Sequence, residues 1–262
     1  MVTTTTTDTT TCWPPKHSLF GVTVSATDYQ GAARAVMSAA RRREGGVVTH
    51  MAVHALVTAN RDPSYREKVN AFEVVAPDGQ PVRWALNRIH GTSLTDRVYG
   101  PELMLRLCRC AAEAGVGVYL YGSTPEVVKA LAGRLVERFP ALRIVGAEPS
   151  LFRALSRDED QALVARVNDS GAGLLFLGLG CPLQETFAYE HRQAIKAVQL
   201  CVGAAFDFHA GNKRMAPPWM QRSGLEWLFR LTQEPRRLWR RYLVTNALFC
   251  LLFARRLVVG GS

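Results

Sequence analysis

Val116-Gly117-Val118-Tyr119-Leu120-Tyr121 is an unbroken, mostly apolar run that stops at Gly122-Ser123-Thr124-Pro125. A short run of this kind, closed by turn residues, predicts a strand buried on both faces. A helical pattern over Pro125–Phe139 follows at once. Another over Pro101–Gly115 precedes it, with proline in the first turn and glycine at the end. Buried strands alternating with helices imply crossover connections and a parallel sheet covered on both faces.

The pattern extends in both directions. Downstream it predicts strands over Leu142–Val145, Gly173–Leu179 and Gln199–Phe206, with helices over Glu159–Asp169 and Gln184–Ala197. Upstream it predicts strands over Phe20–Ala26, Val47–Met51 and Phe72–Ala76, with helices over Tyr29–Arg43 and Ala52–Asn60. The expected fold class is α/β: a Rossmann-like parallel sheet with helices on both faces, plus a basic helical C-terminal appendage. The boundaries implied are a disordered tail over 1–17, an α/β domain over 18–212 and a membrane-facing appendage over 213–262. The 262 residues, 48% hydrophobic, suffice for a sizeable core.

The net charge of +10 is concentrated at one end. From Lys213 onward ten basic residues face only Glu226 and Glu234, a local excess of +8. Such an end suits an anionic partner: lipid head groups, a diphosphate or nucleic acid. Tryptophans and arginines interleave there, as in Trp219, Trp227-Leu228-Phe229-Arg230 and Arg236-Arg237-Leu238-Trp239-Arg240-Arg241. That composition describes an interfacial element, although a helical pair with a solvated basic face reads the same way. No run approaches the roughly 18 apolar residues of a spanning helix. The threonine-rich N-terminus lacks the apolar core of an export signal, and the six cysteines show no CxxC spacing. A reduced, cytoplasmic setting without a zinc site is expected.

In open parallel sheets ligands bind beyond the carboxyl ends of the strands, so residues there are the first candidates. Gly122 and Ser123 lie between a strand and a helix whose free N–H groups suit a diphosphate, or they are simply a tight turn. Gln184 and Glu185 open a helix, where they could hold a base or sugar or act as caps. Asp207, flanked by Phe206 and Phe208, favours a ligand role over surface decoration. Asp78 in Pro77-Asp78-Gly79 reads, on spacing alone, as a turn. His50 and His54 lack the intervening Glu of a zinc protease, and Asp158-Glu159-Asp160 reads as a helix start, so no metal and no cofactor are expected.

The order of several motifs carries more than any one of them. Asp78-Gly79, Arg97-Val98-Tyr99-Gly100, Tyr119-Leu120-Tyr121-Gly122-Ser123 and Gly178-Leu179-Gly180-Cys181-Pro182-Leu183-Gln184-Glu185 follow in sequence. Gly203-Ala204-Ala205-Phe206-Asp207-Phe208, Gly224-Leu225-Glu226-Trp227-Leu228-Phe229-Arg230 and Glu234-Pro235-Arg236-Arg237 complete the series. From Val47 to Tyr242 the chain resembles the WecG/TagA/CpsF glycosyltransferases. The resemblance implies inverting, metal-independent transfer of a hexose or N-acetylhexosamine-type sugar from a UDP-sugar donor to a polyprenyl-diphosphate-linked acceptor. It implies action in teichoic acid or exopolysaccharide synthesis, peripheral on the inner face of the membrane.

Asp78 matches the family's catalytic aspartate and Thr49 its nearby threonine. Gln184 and Asp207 fall at sugar-nucleotide positions, joined by Gly122, Ser123 and Glu185. Arg97 is the candidate for the diphosphate, and Arg214, Arg230, Arg236 and Arg237 would close over the site and meet the anionic membrane surface. The chain departs from the family pattern at Met51, Leu183 and Met215, with Arg214 beside the last. The rival readings are a nucleotide-sugar epimerase or dehydrogenase, whose G-x-G-x-x-G is absent, and a non-catalytic UDP-sugar-binding or membrane-docked scaffold. Nucleic acid is not an expected partner, and a homo-oligomer is left open.

Overall fold

The structure, a computed structural model, describes residues 11–259, with the Val259 side chain left aside. The chain opens with a hairpin, β1 (Lys16–Leu19) and β2 (Val22–Ser25), and α1 (Tyr29–Arg42). Next come β3 (Val47–Met51), α2 (Val53–Arg61), α3 (Pro63–Asn70), β4 (Val74–Pro77) and α4 (Gln80–His90). The central section is α5 (Gly100–Ala114), β5 (Gly117–Gly122), α6 (Pro125–Arg138), β6 (Arg143–Glu148), α7 (Arg157–Asp169) and β7 (Ala172–Gly178). The chain then forms α8 (Leu183–Glu190), β8 (Val198–Cys201), α9 (Ala205–Ala210), α10 (Pro218–Arg222), α11 (Glu226–Gln233) and α12 (Pro235–Val259).

Six strands form one sheet in the order β4-β3-β8-β7-β5-β6, every pair parallel. Alternation along the strands feeds two cores. Val48, Val74, Leu120, Phe176 and Leu200 face α1, α5, α6 and α9. Val47, Met51, Val75, Leu175 and Leu177 face α2, α3, α4 and α8, where Phe249 of α12 also packs. This is the α/β sheet with helices on both faces that the apolar runs predict.

Local differences have local causes. Phe20–Ala26 is not one strand, because Phe20 and Gly21 both take positive φ and turn the chain into the β1–β2 hairpin. The strand expected over Gln199–Phe206 ends at Cys201, and Ala205 and Phe206 begin α9 instead. The helix expected over Gln184–Ala197 ends at Glu190. Within the tail expected over 1–17, residues 1–10 lie outside the described range. Thr11 donates to Glu44 at 2.6 Å, and Lys16 and His17 belong to β1. Among the described residues no helix is long and apolar enough to cross a membrane.

Candidate functional site

Two groups of polar side chains lie at the carboxyl edge of the sheet. The first surrounds Glu185, in the first turn of α8. Its Oε1 accepts from the Thr49 hydroxyl at 2.9 Å and from Gln184 Nε2 at 3.0 Å. Thr49 is fully buried on β3, and Gln184 and Glu185 are almost fully buried. Burial pushes the Glu185 carboxyl above its ordinary range, against the pull of the Gln184, Thr49 and Cys181 hydrogen bonds. Tyr65 stands within hydrogen-bond distance of Cys181, 3.3 Å from its Sγ. Glu185 Oε2 and Gln184 Oε1 are buried without a partner among the described residues. Each such oxygen costs on the order of 1–3 kcal/mol if left unpaired.

The second group surrounds Asp78, just past β4. Its backbone N–H donates to Met51 O at 3.3 Å, and Val98 N–H donates to Pro77 O at 2.9 Å, tying the Arg97–Gly100 loop to the end of the sheet. The Gly100 N–H, at the start of α5, donates to the Asp78 carboxylate, where the helix's positive end favours an anion. Arg97 Nη1 lies 4.0 Å from Asp78 Oδ1, and Arg97 Nη2 lies 2.6 Å from Glu226 Oε2 on α11. Arg97 also donates to Gln221 Oε1 at 3.2 Å and lies over the Tyr99 ring, 4.3 Å from its centroid.

Burial raises the Asp78 pKa to about 7, Arg97 and Arg230 oppose the rise, and Glu226 adds to it. Relative to its ordinary value of 3.8, that shift corresponds to roughly 4 kcal/mol disfavouring the charged form. For Arg97, burial opposes the charge but Asp78 and Glu226 outweigh it, so the guanidinium stays protonated. Arg230, largely buried on α11, is held charged in the same way, with Tyr242, Tyr99, Glu226 and Asp78 offsetting burial.

Beside Asp78 lies a cavity of about 270 Å³, walled by Tyr29, Tyr99, Glu102, Arg106, Met215 and Gln221 among others. Tyr99, which lines it, precedes Gly100, whose N–H meets the Asp78 carboxylate. A carboxylate near neutrality, two arginines and a polar cavity at the edge of a parallel sheet form a setting for proton removal beside an anionic leaving group.

The sequence profile of the Glycosyl transferase WecG/TagA/CpsF family matches residues 17–261. The chain belongs to this family. It is also 29% identical over 201 residues to the N-acetylglucosaminyldiphosphoundecaprenol N-acetyl-beta-D-mannosaminyltransferase of Bacillus subtilis (strain 168), a match covering 76% of this chain and 75% of that protein. This WecG/TagA/CpsF chain is therefore a glycosyltransferase from a family of cell-envelope polysaccharide synthesis.

In this family member the residues singled out from sequence fall into separate places. Thr49, Gln184 and Glu185 meet beneath the start of α8, whereas Asp78, Arg97 and Glu226 meet past the end of β4. Gly122 ends β5 with φ +127°, and a Cβ there would come within 2.6 Å of the Gly178 carbonyl carbon, so the two strand ends nearly touch. Ser123 N–H donates to Gly178 O at 3.1 Å. Asp207 joins neither group: its Oδ2 lies 3.5 Å from Lys213 Nζ, which also reaches Glu234 at 3.2 Å. Arg214, Arg236 and Arg237 are exposed, with Arg237 paired to Glu234. Met51 is fully buried in the core, whereas Leu183 and Met215 are exposed.

Sequence reasoning missed Glu226 and Tyr99 as site residues. The available signal for Glu226 was that only two acids interrupt the basic C-terminal segment. Tyr99 lay inside a quoted motif but carried no chemical signature of its own. Among the described residues no cluster of three or more His, Cys, Asp or Glu is placed to hold a metal ion.

Proposed function

We propose that this chain is an inverting, metal-independent transferase that moves a hexose or N-acetylhexosamine-type sugar from a UDP-sugar to a polyprenyl-diphosphate-linked acceptor. The carrying observation is Asp78: a carboxylate raised to about 7, held by the Gly100 N–H and flanked by Arg97. In the proposed step an acceptor hydroxyl attacks the anomeric carbon as the bond from that carbon to the UDP oxygen breaks. The hydroxyl proton passes to Asp78, and attack from the face opposite UDP inverts the centre. The charge on departing UDP falls to Arg97 and Arg230, whose fixed positive charges take the place of a divalent cation. Gln184, steadied with Thr49 by Glu185, holds the donor near Gly122 and Ser123. The acceptor assignment follows the reaction named for the Bacillus subtilis relative, which also makes an N-acetylmannosamine-type donor the first to try.

Residues 213–262 act in this reading as an appendage that sits on the inner face of the cytoplasmic membrane. Trp219, Trp239 and Leu243 are exposed beside Arg236, Arg237, Arg240 and Arg241. At about 1 kcal/mol for each arginine near an anionic leaflet, these four suffice for reversible docking. Replacing them with glutamine is expected to abolish co-sedimentation with phosphatidylglycerol vesicles; full retention would remove the membrane role.

The test of the transfer itself is UDP release from a panel of UDP-sugars, with and without a short-chain prenyl-diphosphate N-acetylglucosamine. Release that needs both substrates supports the reading. Absence of release from every pair, with UDP still bound, would favour a binding protein.

A further inference from the structure

Arg97 is the core's candidate for meeting a diphosphate, yet the C-terminal segment already covers it. Its Nη2 donates to Glu226 Oε2 at 2.6 Å and to Gln221 Oε1 at 3.2 Å. Gln221 is itself anchored, its Nε2 donating to Ala216 O at 2.8 Å. The Arg97 and Glu226 side chains are only 7% and 12% exposed, so water screens this ion pair far less than a surface one. A guanidinium face engaged in this way has little left to offer a phosphate oxygen. Charge points the same way. Two arginines, Arg97 and Arg230, act on Asp78 together with a second carboxylate, Glu226. Two cations against two anions leave no positive excess for a diphosphate, and Glu226 repels one.

The same pattern recurs at Asp207, the other core residue singled out for the donor. Its carboxylate lies 3.5 Å from Lys213 Nζ, which also reaches Glu234 at 3.2 Å. Residues of the C-terminal segment thus set an anion on a core cation and a cation on a core anion. From these contacts we infer that Glu226 is an internal counter-anion, seated on Arg97 where the donor's diphosphate must bind, so that the C-terminal segment restrains donor binding. The inference rests on the transfer reading and adds its regulation. A diphosphate carries more charge and more acceptor oxygens than one carboxylate, so it can displace Glu226 from Arg97. Its apparent affinity is lowered by the fraction of molecules in which Glu226 holds the arginine. Arg230 lies on the same helix one turn beyond Glu226, so it stays at hand when the carboxylate gives way.

The experiment is calorimetric titration of the full chain, at constant ionic strength, with inorganic pyrophosphate, UDP and uridine. It compares wild type with Glu226→Gln and Glu226→Asp. Glu226→Gln keeps an oxygen for Arg97 but removes the charge, and is expected to tighten pyrophosphate and UDP about tenfold. Uridine, which has no phosphate, should stay within about twofold of wild type. Glu226→Asp draws the charge back by one methylene and should tighten the same two ligands by a smaller factor, a direction that stands even if the glutamine variant does not fold. Wild-type pyrophosphate affinity in both variants overturns the inference. Weaker pyrophosphate binding in either also overturns it, because Glu226 would then be holding Arg97 ready for the ligand. So does uridine tightening as much as UDP, which would report a general loosening of the segment. Pyrophosphate behaving as expected while UDP binds to none of the three proteins would support the counter-anion and count against the UDP-sugar donor.

Discussion

Glu185 and Asp78 are both carboxylates driven upward in pKa by burial at the same edge of one sheet, yet their surroundings differ. Glu185 is gripped by neutral donors, Thr49 and Gln184, and is almost sealed from solvent. Asp78 is met by a helix N-terminus, lies near Arg97 and Arg230, and keeps 17% of its side chain accessible. Burial alone makes a carboxylate reluctant to ionise. Cations, a helix end and access convert that reluctance into a proton acceptor that cycles near neutrality. In this account Glu185 positions Thr49 and Gln184, and Asp78 takes the proton.

The largest expected effect separates the two directly. Asp78→Asn should lower turnover by about 10²-fold or more while leaving the UDP Kd nearly unchanged. Equal loss from Glu185→Gln, measured in the same UDP-release assay, would erase the distinction.

Stability gives the mirror image. Glu185→Ala strands the Thr49 and Gln184 donors and leaves a hole, and should cost roughly 2–4 kcal/mol in urea unfolding. Glu185→Gln keeps an oxygen for Thr49 and should cost much less. The native state holds the Glu185 proton more tightly than the unfolded chain does. Its contribution is therefore present at low pH and lost as pH rises through the raised native pKa. Glu185→Gln should flatten that alkaline-side decline, and an unchanged stability–pH curve would contradict a raised pKa.

The smallest effect sharpens the Asp78 half of the comparison. Glu226 raises the Asp78 pKa and Arg97 lowers it. Glu226→Gln should shift the acidic limb of the rate profile to lower pH, and Arg97→Gln should shift it higher, each by about half a unit to one unit. Shifts in the same direction would mean that the limb does not report Asp78.

The sheet was legible because its strands are apolar runs that stop at glycine, as at Tyr121-Gly122 and Leu177-Gly178. Where an apolar run crosses a turn, the reading failed: Phe20-Gly21 folds a hairpin, and the chain past Cys201 turns at Gly203 (φ +47°) into α9. The helix α4 was unread because Pro77-Asp78-Gly79 looked like a plain turn rather than a strand exit leading into a helix. The site was legible only in part for a related reason. Asp78 owes its character to Gly100, Arg97 and Glu226, the last of which is 148 positions away, and no local pattern reports such a meeting. Thr49 lies in β3 opposite Val75, whereas Asp78 lies just beyond the end of β4.

The pH dependence of sugar transfer at limiting acceptor, for wild type and Asp78→Asn, tests the central claim most directly. The account predicts a wild-type rate that rises tenfold per pH unit on the acid side and levels off above about 7. In Asp78→Asn the residual rate should lose that limb. A wild-type rate that stays flat from about pH 5 to 9, or a limb that survives in Asp78→Asn, would contradict Asp78 as the base.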